Sequence, residues 1–212
     1  MLLAGVIESK EILFVIINQF AVDTAELAQR LVYGYYVHMA TISVAADPRA
    51  GQISPPVLPG HSVPTGTVKR KDGTEHVYDF TFHLSRARTD SDLAPEFEQV
   101  WLAGSLIKLG DKLAQNQYFD RAPELELVRH LRNGIAHGNR FQLDNPNKLT
   151  MFPAHNRDAL VKGDSKAIFE ISPSVHGQTL LFNFMGAADV LDLILSVGLY
   201  LFRVGNGEPL RP

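Results

Sequence analysis

The chain has 212 residues, 45% of them hydrophobic and 20% charged, which excludes a disordered chain and suits one globular domain. It has no cysteine, so disulfides and thiolate metal sites are excluded, in keeping with a reducing compartment. A formal net charge of -3 excludes a global pull on polyanions, so any nucleic-acid binding needs a local basic patch.

Met1 to Ile7 is apolar, but Glu8, Ser9, Lys10 and Glu11 interrupt it and no basic segment precedes it, unlike a secretory signal. Glu8 to Phe20 predicts a first, largely buried helix, and the apolar run from Ile12 to Val22 is too short to span a bilayer. Asp23 with Glu26 has capping-box spacing and predicts a second helix to about Ala45, with Leu27, Leu31, Val32 and Tyr35 at helical spacing. Asp47-Pro48 ends it.

The region 46–90 reads as an insertion. Pro55, Pro56, Pro59 and Pro64 make a loop. Thr67 to Leu84 then alternates as strands do, with Asp72-Gly73 as a hairpin turn. Lys69, Arg70 and Lys71 give that hairpin a basic tip, which is either a solvated turn or a guide for an RNA backbone.

Helical pattern resumes near Leu93 or Pro95 and runs to about Asn116, with Phe97, Val100, Trp101, Leu106, Leu109 and Leu113 as a buried stripe. Pro123 suits the first position of the next helix, which runs to about His137 with Gly138 as its cap. Phe141 to Ser174 reads as loop and Gln178 to Phe184 as a strand. Gly186 to Val204 predicts a last helix stopped by Gly205 and Gly207. The run from Leu180 to Val204 holds Asn183, Asp189 and Asp192, and charges are costly at mid-membrane, so it predicts a core helix. The expectation is a mainly α, cytoplasmic protein without membrane spans: one domain, a bundle of about five helices with a β-hairpin insertion.

The chemistry concentrates on the helix that begins at Pro123. At about 100° per residue, Leu127, Val128, Leu131 and Ile135 form a core-facing stripe. The other side carries Arg132, Ala136, Arg129, Asn133, His137 and His130. Arg129, Asn133 and His137 follow one another at every fourth residue along one ridge, and Arg132 lies on the adjacent ridge. From Val128 to Leu143 there is no Asp or Glu, so this face is expected to hold an anion. Imidazole suits proton transfer near neutral pH, guanidinium suits bidentate contact with phosphate oxygens, and an amide can orient either.

The segment Arg132-Asn133-Gly134-Ile135-Ala136-His137 resembles the motif of HEPN domains: an Arg with a polar residue after it and a His beyond four to six intervening positions. The resemblance is local, covering about Leu125 to Phe141, with a loose fit of the helices before it and of the last helix. It implies a helical, homodimeric protein with two such motifs meeting in one RNA cleft. It implies that Arg132 and His137 are catalytic and that Asn133 supports them, in metal-independent RNA cleavage by the 2′-hydroxyl. The family includes toxins, phage-defence effectors and RNA-processing enzymes. An antitoxin or regulatory protein is therefore a further expected partner. Other members have lost catalysis and only bind RNA or proteins. A second match to the pattern, Arg70 to His76 with five residues between, falls on the predicted hairpin and is set aside.

Each residue also has a plainer role. His137 at a helix C-terminus can complement the helix dipole. His130 is either a substrate contact or an interface histidine. Arg129 is either a phosphate contact or a salt-bridge partner of Glu126. Asn139 and Arg140 are cap or substrate contacts. The other histidines (His38, His61, His76, His83, His155 and His176) have no ligand spacing, so no metal site and no cofactor are expected.

Overall fold

The computed structural model describes residues 18–143, 145, 149 and 151–210. The expected first helix lies almost wholly outside these residues. The helices that carry the fold are α1 (Gln19–Ala46), α2 (Phe80–Thr89), α3 (Leu93–Ala114), α4 (Pro123–Ala136) and α5 (Ala187–Asn206). An antiparallel hairpin, β1 (Thr65–Lys69) and β2 (Glu75–Asp79), stands between α1 and α2, with Thr65 opposite Asp79 and Lys69 opposite Glu75. The protein is thus a mainly helical bundle with a β-hairpin. No helix among the described residues is long and apolar enough to cross a membrane.

α1 begins earlier than Asp23. The Asn18 side chain accepts from the Ala21 amide (3.3 Å) and caps the helix, while Asp23 lies one turn in and accepts from Gln19. The Asn18 amide donates to Gly205 O (2.8 Å), tying the start of α1 to the end of α5. The two helices approach through small residues. Ala21, Ala25 and Ala28 are buried on α1, and a Cβ on Gly198 of α5 would stand 3.2 Å from the Ala28 Cβ. A Cβ on Gly205 would meet Val22 Cγ2 at 2.5 Å, so this glycine serves close approach inside α5. The stop falls at Gly207, in the left-handed region at φ 65°.

Three other boundaries differ from the sequence reading. β2 ends at Asp79, whose carboxylate accepts from the Phe82 amide (2.9 Å) and caps α2, so residues 80–84 are helix rather than strand. On α3 the buried stripe is Leu102, Leu106, Leu109 and Leu113, while Phe97 and Val100 are exposed. Residues 178–184 form turns and isolated bridges, not a strand.

The end of α4 decides where the site lies. Pro123 takes the first helical position as expected, and Leu125, Leu127, Val128 and Leu131 are buried. The helix closes at His137, whose amide donates to Asn133 O (3.1 Å). Gly138 and Asn139 both adopt positive φ, 85° and 61°, which turns the chain back on itself. Arg140 N then donates to Gly134 O (3.0 Å) and Phe141 N to Gln178 O (3.1 Å). Asn139 clamps the facing segment twice, accepting from Leu180 N at its carbonyl and from Leu181 N at its side chain, each at 3.0 Å. Phe141 and Leu180 fill the core beneath.

Gly134 permits this closure. A Cβ there would stand 2.2 Å from Leu180 Cδ1 and 3.0 Å from the Arg140 carbonyl oxygen. Overpacking a filled site costs about 1–3 kcal/mol, while replacing a helical glycine by alanine returns about 0.5–1 kcal/mol. Gly134→Ala is therefore expected to lower stability by about 1–2 kcal/mol in urea unfolding. Gly104→Ala in α3, where an added Cβ meets nothing within 4 Å, is expected to raise it by up to about 1 kcal/mol.

Candidate functional site

A cleft of about 230 Å³ runs beside the C-terminal half of α4. One wall is the α4 ridge of Arg129, Asn133 and His137 with the neighbouring His130, and the other includes Phe141, Gln142 and Leu143 from the returning chain. The sequence places the ridge residues on one helix face, and the Gly138-Asn139 turn supplies the opposing wall. The His137 imidazole is exposed at the mouth and makes no hydrogen bond among the described residues.

Arg132 is not among the lining residues of the cleft. About 140° of helical phase separates it from His137. Its aliphatic stem lies on Gly110 of α3, where a Cβ would come within 2.7 Å of the Arg132 Cβ and Cγ. Its Nε and Nη2 both donate to Asp111 Oδ1, at 2.8 and 2.6 Å. Its Nη1 donates to Asn133 Oδ1 at 3.2 Å. Asn133, in the cleft wall, thus links the Arg132 guanidinium to the cleft that His137 borders.

The expectation of a face with no acid to neutralise it is corrected. Asp111 comes from α3, far along the chain, and Glu126 sits just outside the acid-free stretch. Glu126 is fully buried and accepts from Arg129 Nε (2.5 Å) and Arg121 Nη1 (3.3 Å). Of the two roles open for Arg129, the salt bridge to Glu126 is the one present. Arg121, Asp111 and Tyr118 were not singled out from the sequence. Burial pushes the Tyr118 phenol up, against the pull of Arg132 and Arg129. Only the spacing from Glu126 to Arg129 could have been seen beforehand, as neighbours on one helix.

Arg129 Nη2 also lies 3.1 Å from His130 Nε2. A guanidinium only donates, so Nε2 accepts and the His130 ring is neutral. Burial first, then the adjacent Arg129 charge, hold the His130 pKa down at about 4. Asn139 and Arg140 are structural rather than cleft-lining. Asn139 is the clamp described above, and Arg140 Nη1 donates to Gly177 O at 3.0 Å. Arg70 and His76 lie on the exposed hairpin. Among the described residues no group of three His, Asp or Glu could hold a metal ion.

The two ion pairs differ in weight. Removing one partner of a buried pair costs about 3–5 kcal/mol, and an exposed pair is worth about 0–1 kcal/mol. Glu126→Gln is expected to lower stability by about 3 kcal/mol in urea unfolding, and Asp111→Asn, in a pair whose Arg132 and Asp111 side chains are 36% and 50% exposed, by less than about 1 kcal/mol. His130 also makes stability depend on pH. Its folded-state pKa lies below the ordinary 6.5, so protonation favours the unfolded chain. Its contribution is present above pH 6.5 and is lost as pH falls towards about 4. Over that interval His130→Asn is expected to lose less stability than the wild type.

The chain matches no protein-family model, no curated protein and no solved structure among those compared.

Proposed function

We propose that the chain is an endoribonuclease of the HEPN type that cleaves RNA without a metal ion, with His137, Arg132 and Asn133 as its working groups. The observation that carries this reading is the Asn133 side chain, which joins Arg132 to the cleft bordered by an exposed His137. His137 takes the proton from a 2′-hydroxyl. The 2′-oxygen attacks the adjacent phosphorus, the bond to the 5′-oxygen breaks, and a 2′,3′-cyclic phosphate forms. The leaving 5′-oxygen takes its proton from the His137 imidazolium of a second copy, in a homodimer that brings two α4 ends together.

The role of Arg132 rests on competition. Both of its contacts to Asp111 go to a single carboxylate oxygen at an exposed surface. Such a pair holds the side chain by about 1 kcal/mol or less. A phosphate offers bidentate geometry and can take the guanidinium over at little cost. Arg129, tied to buried Glu126, instead shapes the cleft and supplies fixed positive charge.

A second reading has its own support. Both arginines carry carboxylate partners, which suits a HEPN-like dimer that binds RNA or a protein without cleaving. A toxin or phage-defence setting, an antitoxin or regulatory partner and a cytoplasmic location belong to this proposal through the family resemblance alone.

Incubation of single-stranded RNA with the protein in EDTA decides between the readings. Cleavage to products ending in 2′,3′-cyclic phosphate is expected, lowered about 10²–10⁴-fold in His137→Ala with unchanged helical content. RNA retained but uncut by the wild type supports the binding reading. Neither binding nor cleavage rejects the nuclease reading and the RNA-binding one.

A further inference from the structure

One cleft residue has a defined proton arrangement that the cleavage scheme does not use. Glu126, Arg129 and His130 form a chain from the interior to the cleft. The buried carboxylate accepts from Arg129 Nε (2.5 Å), and Arg129 Nη2 donates to His130 Nε2 (3.1 Å). Arg121 holds the same carboxylate from the other side (3.3 Å), so two guanidiniums share one negative charge beneath the cleft. A guanidinium cannot accept a hydrogen bond, so the single proton of the neutral His130 ring sits on Nδ1. A free neutral imidazole side chain interconverts between its tautomers and favours the one protonated on Nε2; here the Arg129 donor selects the other.

We infer that His130 is a substrate-positioning residue, locked by the Glu126–Arg129 chain as a neutral ring that donates its Nδ1 proton to a phosphate oxygen of the RNA strand in the cleft. This rests on the nuclease reading for the identity of the substrate. It divides the two histidines. His137, exposed at the mouth, moves protons, while His130 keeps its own proton and orients. Among the described residues, the charged or titratable groups placed with His130 are Arg129, with Glu126 behind it, and His137 on the same cleft wall. Burial opposes a second proton on the ring, and the Arg129 charge acts in the same direction.

The first test needs no RNA. Nitrogen-detected NMR of the histidine rings is expected to show His130 with an unprotonated Nε2 and a protonated Nδ1 from pH 8 down to about pH 5, since its pKa is held at about 4. Arg129→Lys keeps a positive charge beside Glu126 but has one donor nitrogen where Arg129 uses two, and is expected to release the ring into a mixture of tautomers. A proton on Nε2 in the wild type, a titration midpoint near 6.5, or a tautomer unchanged in Arg129→Lys overturns the inference.

The second test uses a short single-stranded RNA carrying 2′-O-methyl groups throughout, which binds but cannot be cut by 2′-attack. The Asn side-chain N–H mimics the Nδ1 donor, so His130→Asn is expected to bind within about 2-fold of wild type and His130→Phe about 10-fold more weakly. Equal binding by the Phe variant overturns the inference even where the tautomer is as expected. If the wild type binds no RNA, the nuclease reading fails and the substrate half of this inference fails with it. The NMR result still reports whether the Glu126–Arg129 chain sets the ring.

Discussion

A carboxylate with no exposed surface must be matched by charge, and Glu126 is matched by two guanidiniums. That requirement fixes much of the molecule around it. It draws Arg121 inward from the loop that joins α3 to α4, and it holds Arg129 against its own helix. Arg129 in turn reaches His130. One buried charge therefore couples the loop, the helix and the cleft wall. Replacing Glu126 takes the shared carboxylate from both guanidiniums at once, which makes it the costly member to disturb.

The same principle ranks the arginines by their freedom to act. Arg129 is bound to a buried acid and stays where it is. Arg132 is bound to an exposed acid, through an interaction worth little in water, and Asn133 already directs one of its nitrogens towards the cleft. Two cations on one helix thus differ: Arg129 is tied to a buried acid and Arg132 to an exposed one. His137 is free of such ties among the described residues because it caps the helix at the surface, where the Gly138-Asn139 turn leaves it at the mouth of the cleft.

The helical character and the hairpin were legible because they rest on local signals: Asp72-Gly73 at the turn, Pro123 at a helix start, leucines at helical spacing on α4. The ridge of Arg129, Asn133 and His137 was legible for the same reason, since one helix carries all three. Residues 80–84 misled because alternating Phe and Thr mimic a strand, while Asp79 as a cap decides for helix. Phe97 and Val100 share the spacing of the α3 stripe but lie outside the packed part of α3. Asp111 could not be seen as the partner of Arg132, because only the packing of α3 on α4 through Gly110 brings them together. Asn139 reads from the sequence as a cap or a substrate contact, and its positive φ and its two bonds to 180–181 give it the structural role of the two.

In the proposed nuclease, Arg132 exchanges its surface carboxylate for a phosphate at the His137 cleft. A crystal structure of the protein with a bound, 2′-O-methylated single-stranded RNA examines that exchange directly. A phosphate is expected between the Arg132 guanidinium and the His137 imidazole, with the contact to Asp111 opened. Arg132 still seated on Asp111, with the RNA phosphates bound elsewhere on the surface, would contradict it.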